Sequence, residues 1–159
     1  MLKPSNMKAR GLRNNNPANI RRGSSWLGLS KNQNDKLFCQ FESISYGIRA
    51  FLVLMRTYHY KYKLNTIAKI LHRFAPLSEN NTYYYIAFVE KYMYEHQVIY
   101  SLNGVECQKI RFTDDFNVNI WFNKTEPSYN LILFTLAVLK METGEDFSVD
   151  DIDKAIALL

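Results

Sequence analysis

Glu142 closes an apolar run, Leu136-Ala137-Val138-Leu139-Lys140-Met141, and is followed by Thr143-Gly144. A carboxylate at the tail of a helix faces the negative end of the helix dipole, and apolar walls around it would desolvate it further. Both effects favour the protonated form, which is what a glycosidase needs in a general acid at neutral pH. The plainer reading is a solvated Glu beside an ordinary glycine helix stop. Glu79, in Ser78-Glu79-Asn80-Asn81-Thr82, is a lesser candidate for a second carboxylate or a substrate contact. Its position just ahead of a helix is better explained as a surface acid favoured by the dipole, which also suffices for Glu42.

A second set of candidates lies in Arg10-Gly11-Leu12-Arg13-Asn14-Asn15-Asn16-Pro17-Ala18-Asn19-Ile20-Arg21-Arg22, continuing to Trp26-Leu27-Gly28. The stretch has neither a helical nor a strand period, and burying its amides and guanidiniums unpaired would be costly. Trp26 with Leu27 and Leu29 beside it indicates a loop anchored to a folded body, where binding chemistry is commonly carried. Arg13, Arg21 and Arg22 could bind phosphate or carboxylate in bidentate fashion or form a solvated basic loop. Tyr83 and Tyr84 fall off the apolar stripe of their helix and could face a sugar groove; the other tyrosines read as core residues with their hydroxyls at the surface.

Other chemistries find little support. Cys39 and Cys107 have no metal-type spacing, and His59, His72 and His96 are scattered, so no metal or cofactor is implied. There is no phosphate-binding glycine motif and no Ser-His-Asp or Cys-His arrangement. The N-terminus lacks the uninterrupted apolar core of a secretory signal, and no apolar run is long enough for a membrane span.

These residues need a scaffold. With 159 residues, 47% hydrophobic and 14% aromatic, the chain can bury a core unaided, and it is read as a single domain over 1–159 with 1–9 flexible. Leu37 to Phe41 reads as a short extended segment. Ser43 or Ser45 opens a helix through Ile48, Phe51, Leu52, Met55 and Tyr58. Asn65 or Thr66 opens a second through Ile67, Ile70, Leu71 and Phe74, ended by Pro76. Asn81 or Thr82 opens a third through Tyr85, Ile86, Val89, Tyr92 and Met93. Asn103-Gly104 signals a hairpin turn, while 110–122 reads as strand or loop. Pro127 starts an apolar helix over 128–141 that stops at Gly144, and Ser148 with Asp151 forms a capping box for a last helix over 149–158. The expected fold is mainly α, about five helices with a long ordered N-terminal loop and a small β-hairpin.

The formal net charge is +5, which suits acidic surroundings such as nucleic acid, a membrane face or a cell wall. Lys and Arg crowd residues 1–36, where Asp35 is the single acid, whereas 141–153 carries acids and no base. Nucleic-acid binding ranks last among the readings, because the basic cluster of 1–36 lies in a loop and no recognition helix is basic.

The loop block, then Trp26-Leu27-Gly28, Tyr46-Gly47-Ile48-Arg49-Ala50, Phe74-Ala75-Pro76 and Glu79-Asn80-Asn81-Thr82 together resemble a family of phage and prophage virion proteins. The resemblance is strong over 10–89, weaker over 130–157 and poor over 95–127. Ala18, Phe74 and Thr143 depart from the family pattern. A looser similarity is to bacterial glucosaminidases of the lysozyme-like superfamily, in which a helix ending in a catalytic Glu precedes an Asn-Pro-x-Asn-Ile loop and a Trp-x-Gly. Here the same parts stand in rotated order, which implies a circularly permuted lysozyme-like domain.

The resemblance implies binding and cleavage of the peptidoglycan glycan strand by a muramidase or lytic transglycosylase. Glu142 would be the acid, and Asn15, Asn16, Asn19, Arg21, Trp26, Asn80 and Tyr84 would contact an N-acetylated glycan. The alternative is a non-catalytic virion structural or wall-binding protein. Other virion proteins are then the further partners, with no membrane involvement. The expected location is the bacterial cytoplasm at synthesis, then the virion or, by a separate route, the cell wall.

Overall fold

Three helix starts follow directly from side-chain caps. The computed structural model describes residues 8–159. Thr66 accepts from the Lys69 amide to open α3 (Ile67–Phe74), and Asn81 accepts from the Tyr84 amide to open α4 (Thr82–His96). Ser148 and Asp151 close the reciprocal capping box of α6 (Val149–Ile156). The remaining helices are α1 (Arg10–Arg13), α2 (Ile44–Tyr60) and α5 (Tyr129–Thr143). Two antiparallel strand pairs complete the elements, β1 (Ser101–Leu102) with β2 (Val105–Glu106) and β3 (Trp121–Asn123) with β4 (Glu126–Pro127). The mainly α expectation is met, with six helices among the described residues where about five were expected.

Local differences have local causes. Arg10 to Arg13 forms one helical turn within the supposed loop, because Ala9 accepts from the Leu12 and Arg13 amides and Gly11 is buried. Pro127 does not open α5. It pairs in β4 with Trp121, while Ser128 accepts the Ile132 amide and its hydroxyl accepts the Leu131 amide, so the helix starts one residue later. Gly144 ends α5 with φ of 76° and its amide on Lys140 O, as the Thr-Gly signal predicts. Of the N-terminal segment expected to be flexible, residues 1–7 lie outside the described residues.

The chain divides into two units, 1–55 with 138–159, and 56–137. In the first, Ala18, Ile20, Cys39, Phe41, Ile48, Phe51, Leu52, Val138, Leu139 and Ile152 are buried. Arg49 ties α2 to the chain end by donating to Leu158 O at 2.9 Å. In the second, Ile67, Ile70, Leu71, Tyr85, Ile86, Val89, Met93 and Phe134 are buried. Asn119, fully buried, organises its polar interior: its amide donates to Leu64 O at 3.1 Å, its Oδ1 accepts from Trp121 Nε1 at 2.9 Å, and His59 Nδ1 lies 2.6 Å from its carbonyl. The Thr82 hydroxyl donates to Ala75 O, closing the Pro76 turn ahead of α4.

Candidate functional site

The first unit's loop is held by its own amides. Asn16 is fully buried; its Nδ2 donates to Ile20 O and Cys39 O, and its Oδ1 accepts from Ile20 N, each at 2.9 Å. Residues 20–22 then pair with 37–39, through Cys39 N to Ile20 O and Arg22 N to Leu37 O. Asn14 Nδ2 donates to Asp35 at 2.9 Å, and Asp35 also accepts a two-pronged grip from Arg10 at 2.6 and 2.7 Å. That grip, with further hydrogen bonds from Asn14 and the amides of Leu37 and Phe38, holds the Asp35 carboxyl far below the usual carboxylate range.

Asn15 and Asn19 both take the left-handed backbone conformation, at φ 51°, which Asn tolerates better than most residues. Asn15 Nδ2 donates to Phe41 O at 3.1 Å. The loop lies so close to α2 that a Cβ on Gly47 would stand 2.0 Å from Asn15 O. Gly28 is fixed in the same way, with φ of 80° and the Tyr46 ring 2.1 Å from where a Cβ would be. The Tyr46-Gly47 motif is therefore a docking surface for the Asn-rich loop.

Glu142, half-buried in the last turn of α5, meets this loop: Asn19 Nδ2 donates to its Oε1 at 3.2 Å, across 123 residues of chain. The other amide atom, Asn19 Oδ1, is buried without a hydrogen-bond partner, and so is the indole N–H of half-buried Trp26. The loop thus brings to Glu142 a buried acceptor with nothing donating to it, and carries seven residues further along a buried donor with nothing accepting from it. Such atoms are costly unless a ligand or water satisfies them.

The structure sorts the predicted residues into four groups. Asn19 and Glu142 are in direct contact, with Trp26 on the same ordered loop. Asn15 and Asn16 spend their amides on the loop's own carbonyls, so their observed part is architectural. Arg21 is exposed, its guanidinium 5.4 Å from the Phe38 ring centre. Glu79, Asn80 and Tyr84 belong to the second unit, exposed on the turn after Pro76 and the first turn of α4. Among the described residues no three His, Cys, Asp or Glu side chains converge on a metal position, and no helix is long and apolar enough to cross a membrane.

One pair escaped the sequence reading. Glu90 on α4 lines a groove of about 390 Å³ together with Tyr94, Arg111 and Thr113, and the Asp114 carboxyl stands close enough to act on it. Burial, reinforced by the neighbouring Asp114 carboxyl, lifts Glu90 to about 7. Asp114 sits in the stretch whose pattern was ambiguous, so no spacing signal joined the two.

Protein P5 of Pseudoalteromonas phage PM2 is 47% identical to this chain over 88 residues, 53% of this chain and 55% of P5. The chain thus spans about half the length of the curated relative it matches. No protein-family model matches the chain. The resemblance to phage proteins is met by this similarity, which does not extend to a lysozyme-like relationship.

Proposed function

We propose that this chain is a bacteriophage virion component that engages the N-acetylated glycan of the cell wall through the loop of its first unit. The observation that carries the reading is the Asn19–Glu142 hydrogen bond. It brings a polar loop onto the one carboxylate whose position suits glycan chemistry. An acetamido group has one donor and one acceptor, the same complement as the unsatisfied groups the loop carries at Asn19 Oδ1 and Trp26 N–H. The virion part of the proposal draws on the similarity to a phage protein. It also draws on the β1–β2 ribbon, where Tyr100, Leu102, Val105 and Cys107 share one exposed face by their pairing. An apolar face of this kind is normally covered, here by a neighbouring protein of the particle.

A second reading adds catalysis, and the same contact favours it. Glu142 would protonate the glycosidic oxygen as the C1–O bond breaks, then take the proton of the muramic 6-hydroxyl as that oxygen attacks C1, leaving a 1,6-anhydro end. This route needs one carboxyl, whereas hydrolysis ordinarily uses two flanking the bond, and Asp35 of the same unit is engaged by Arg10. A permuted lysozyme-like arrangement would place the loop and Glu142 together in this way.

The test uses purified sacculi with the unmodified chain, Glu142→Gln and Asn19→Gly; the glycine removes the amide yet suits the left-handed backbone. Sacculus binding by the chain and by Glu142→Gln, lost in Asn19→Gly, is the expected result. Release of anhydro-muropeptides by the unmodified chain but not by Glu142→Gln adds catalysis. Binding without release at any pH leaves a wall-binding protein. No binding to sacculi overturns the proposal, and absence of the chain from purified particles overturns its virion part.

A further inference from the structure

The end of α2 and the turn between β3 and β4, both in the second unit, meet over a cleft of about 400 Å³ lined by Arg56, Thr57, Tyr60, Lys61 and Lys124. Arg56 Nη1 donates to Lys124 O at 2.6 Å, so the guanidinium fixes the turn against the helix and holds its lysine at the cleft. No acid lines the cleft, and among the described residues none of the three cations forms an ion pair.

The helix dipole accounts for cations near the end of α2. It does not account for Lys124, which arrives from another element. Like charges gathered in one concavity repel each other and raise the local concentration of anions. The remaining guanidinium N–H groups suit a phosphate in two-pronged geometry, and the lysines add point charges. Tyr60, 41% exposed, offers a ring face beside them. The cleft is in the size range of small-molecule sites, roughly 300–1,000 Å³, and is larger than a bare phosphate requires.

We infer that this cleft binds a phosphate ester carrying a ring, such as a nucleotide or a sugar phosphate. The phosphate lies among Arg56, Lys61 and Lys124, and the ring packs on Tyr60. The site is independent of the glycan-binding proposal, since every residue in it belongs to the other unit.

The experiment titrates the full chain with inorganic phosphate, ribose 5-phosphate and AMP by calorimetry at low ionic strength. AMP or ribose 5-phosphate should bind more tightly than inorganic phosphate, AMP alone indicating a base on Tyr60 and ribose 5-phosphate alike indicating a sugar. The double variant Lys61→Gln, Lys124→Gln, both exposed positions, should weaken the ring ligands by about tenfold or more. Tyr60→Leu should weaken AMP several-fold and leave inorganic phosphate unchanged. Unchanged AMP affinity in a double variant that unfolds at the parent's temperature overturns the inference, as does failure of all three ligands to bind. Equal affinity for phosphate and AMP overturns the part assigned to Tyr60.

Discussion

Asn16→Ala separates an architectural asparagine from a substrate-binding one. The side chain is fully buried and makes three hydrogen bonds at 2.9 Å. Removing it strands two groups, the Ile20 N–H and the Cys39 carbonyl; Ile20 O keeps the Cys39 amide. A buried polar group left without a partner costs about 1–3 kcal/mol, so two cost on the order of 4 kcal/mol before any cavity term. That is a large share of a typical domain's stability of about 5–15 kcal/mol. Urea unfolding should show the midpoint falling by more than about 1 M, and hydrogen exchange should show the Ile20 amide losing protection first. Asn19→Gly, which removes one bond at 3.2 Å from a half-buried residue and suits its left-handed backbone, should cost only about 1 kcal/mol. If Asn16→Ala unfolds within about 0.5 kcal/mol of the parent, the claim that this amide holds the loop is wrong.

Two further outcomes follow from the same geometry. Gly47→Ala should destabilise the first unit by several kcal/mol, since the new Cβ would lie 2.0 Å from a backbone oxygen that cannot move without lifting the loop; thermal unfolding reads this, and an unchanged Tm would refute the close approach. Glu90 holds its proton more tightly folded, at about 7, than unfolded, so its contribution is complete below the ordinary Glu range and is lost as pH rises to about 7. After allowance for partial exposure the loss should be on the order of 1 kcal/mol, seen as a pH-dependent midpoint that Glu90→Gln flattens; an identical pH profile in that variant would sink the assignment.

The helices were legible because their signals are short-range. The stripe Ile67, Ile70, Leu71, the caps at Thr66, Asn81 and Ser148, and the glycine stop at Gly144 each act within one or two turns of chain. The Asn103-Gly104 hairpin was legible too, but the stretch 110–122 was not, because its polar hub at Asn119 is satisfied by Leu64, Asn65 and Trp121, partners that no local period reveals. Pro127 was misplaced for the same reason: its φ suits a helix start, but pairing with Trp121 set its conformation.

The candidate site divides in the same way. From the residues alone came the loop's polarity, its need for an anchor, and the position of Glu142 at a helix end. Sequence cannot say which of three consecutive asparagines faces outward, since all have the same chemistry. Only the tertiary structure commits Asn16 to the loop's interior, turns Asn19 onto Glu142 and leaves one of its atoms unsatisfied. Hydrogen bonds in a buried site are allotted by distance in space, and 123 residues of chain separate the two that matter most here.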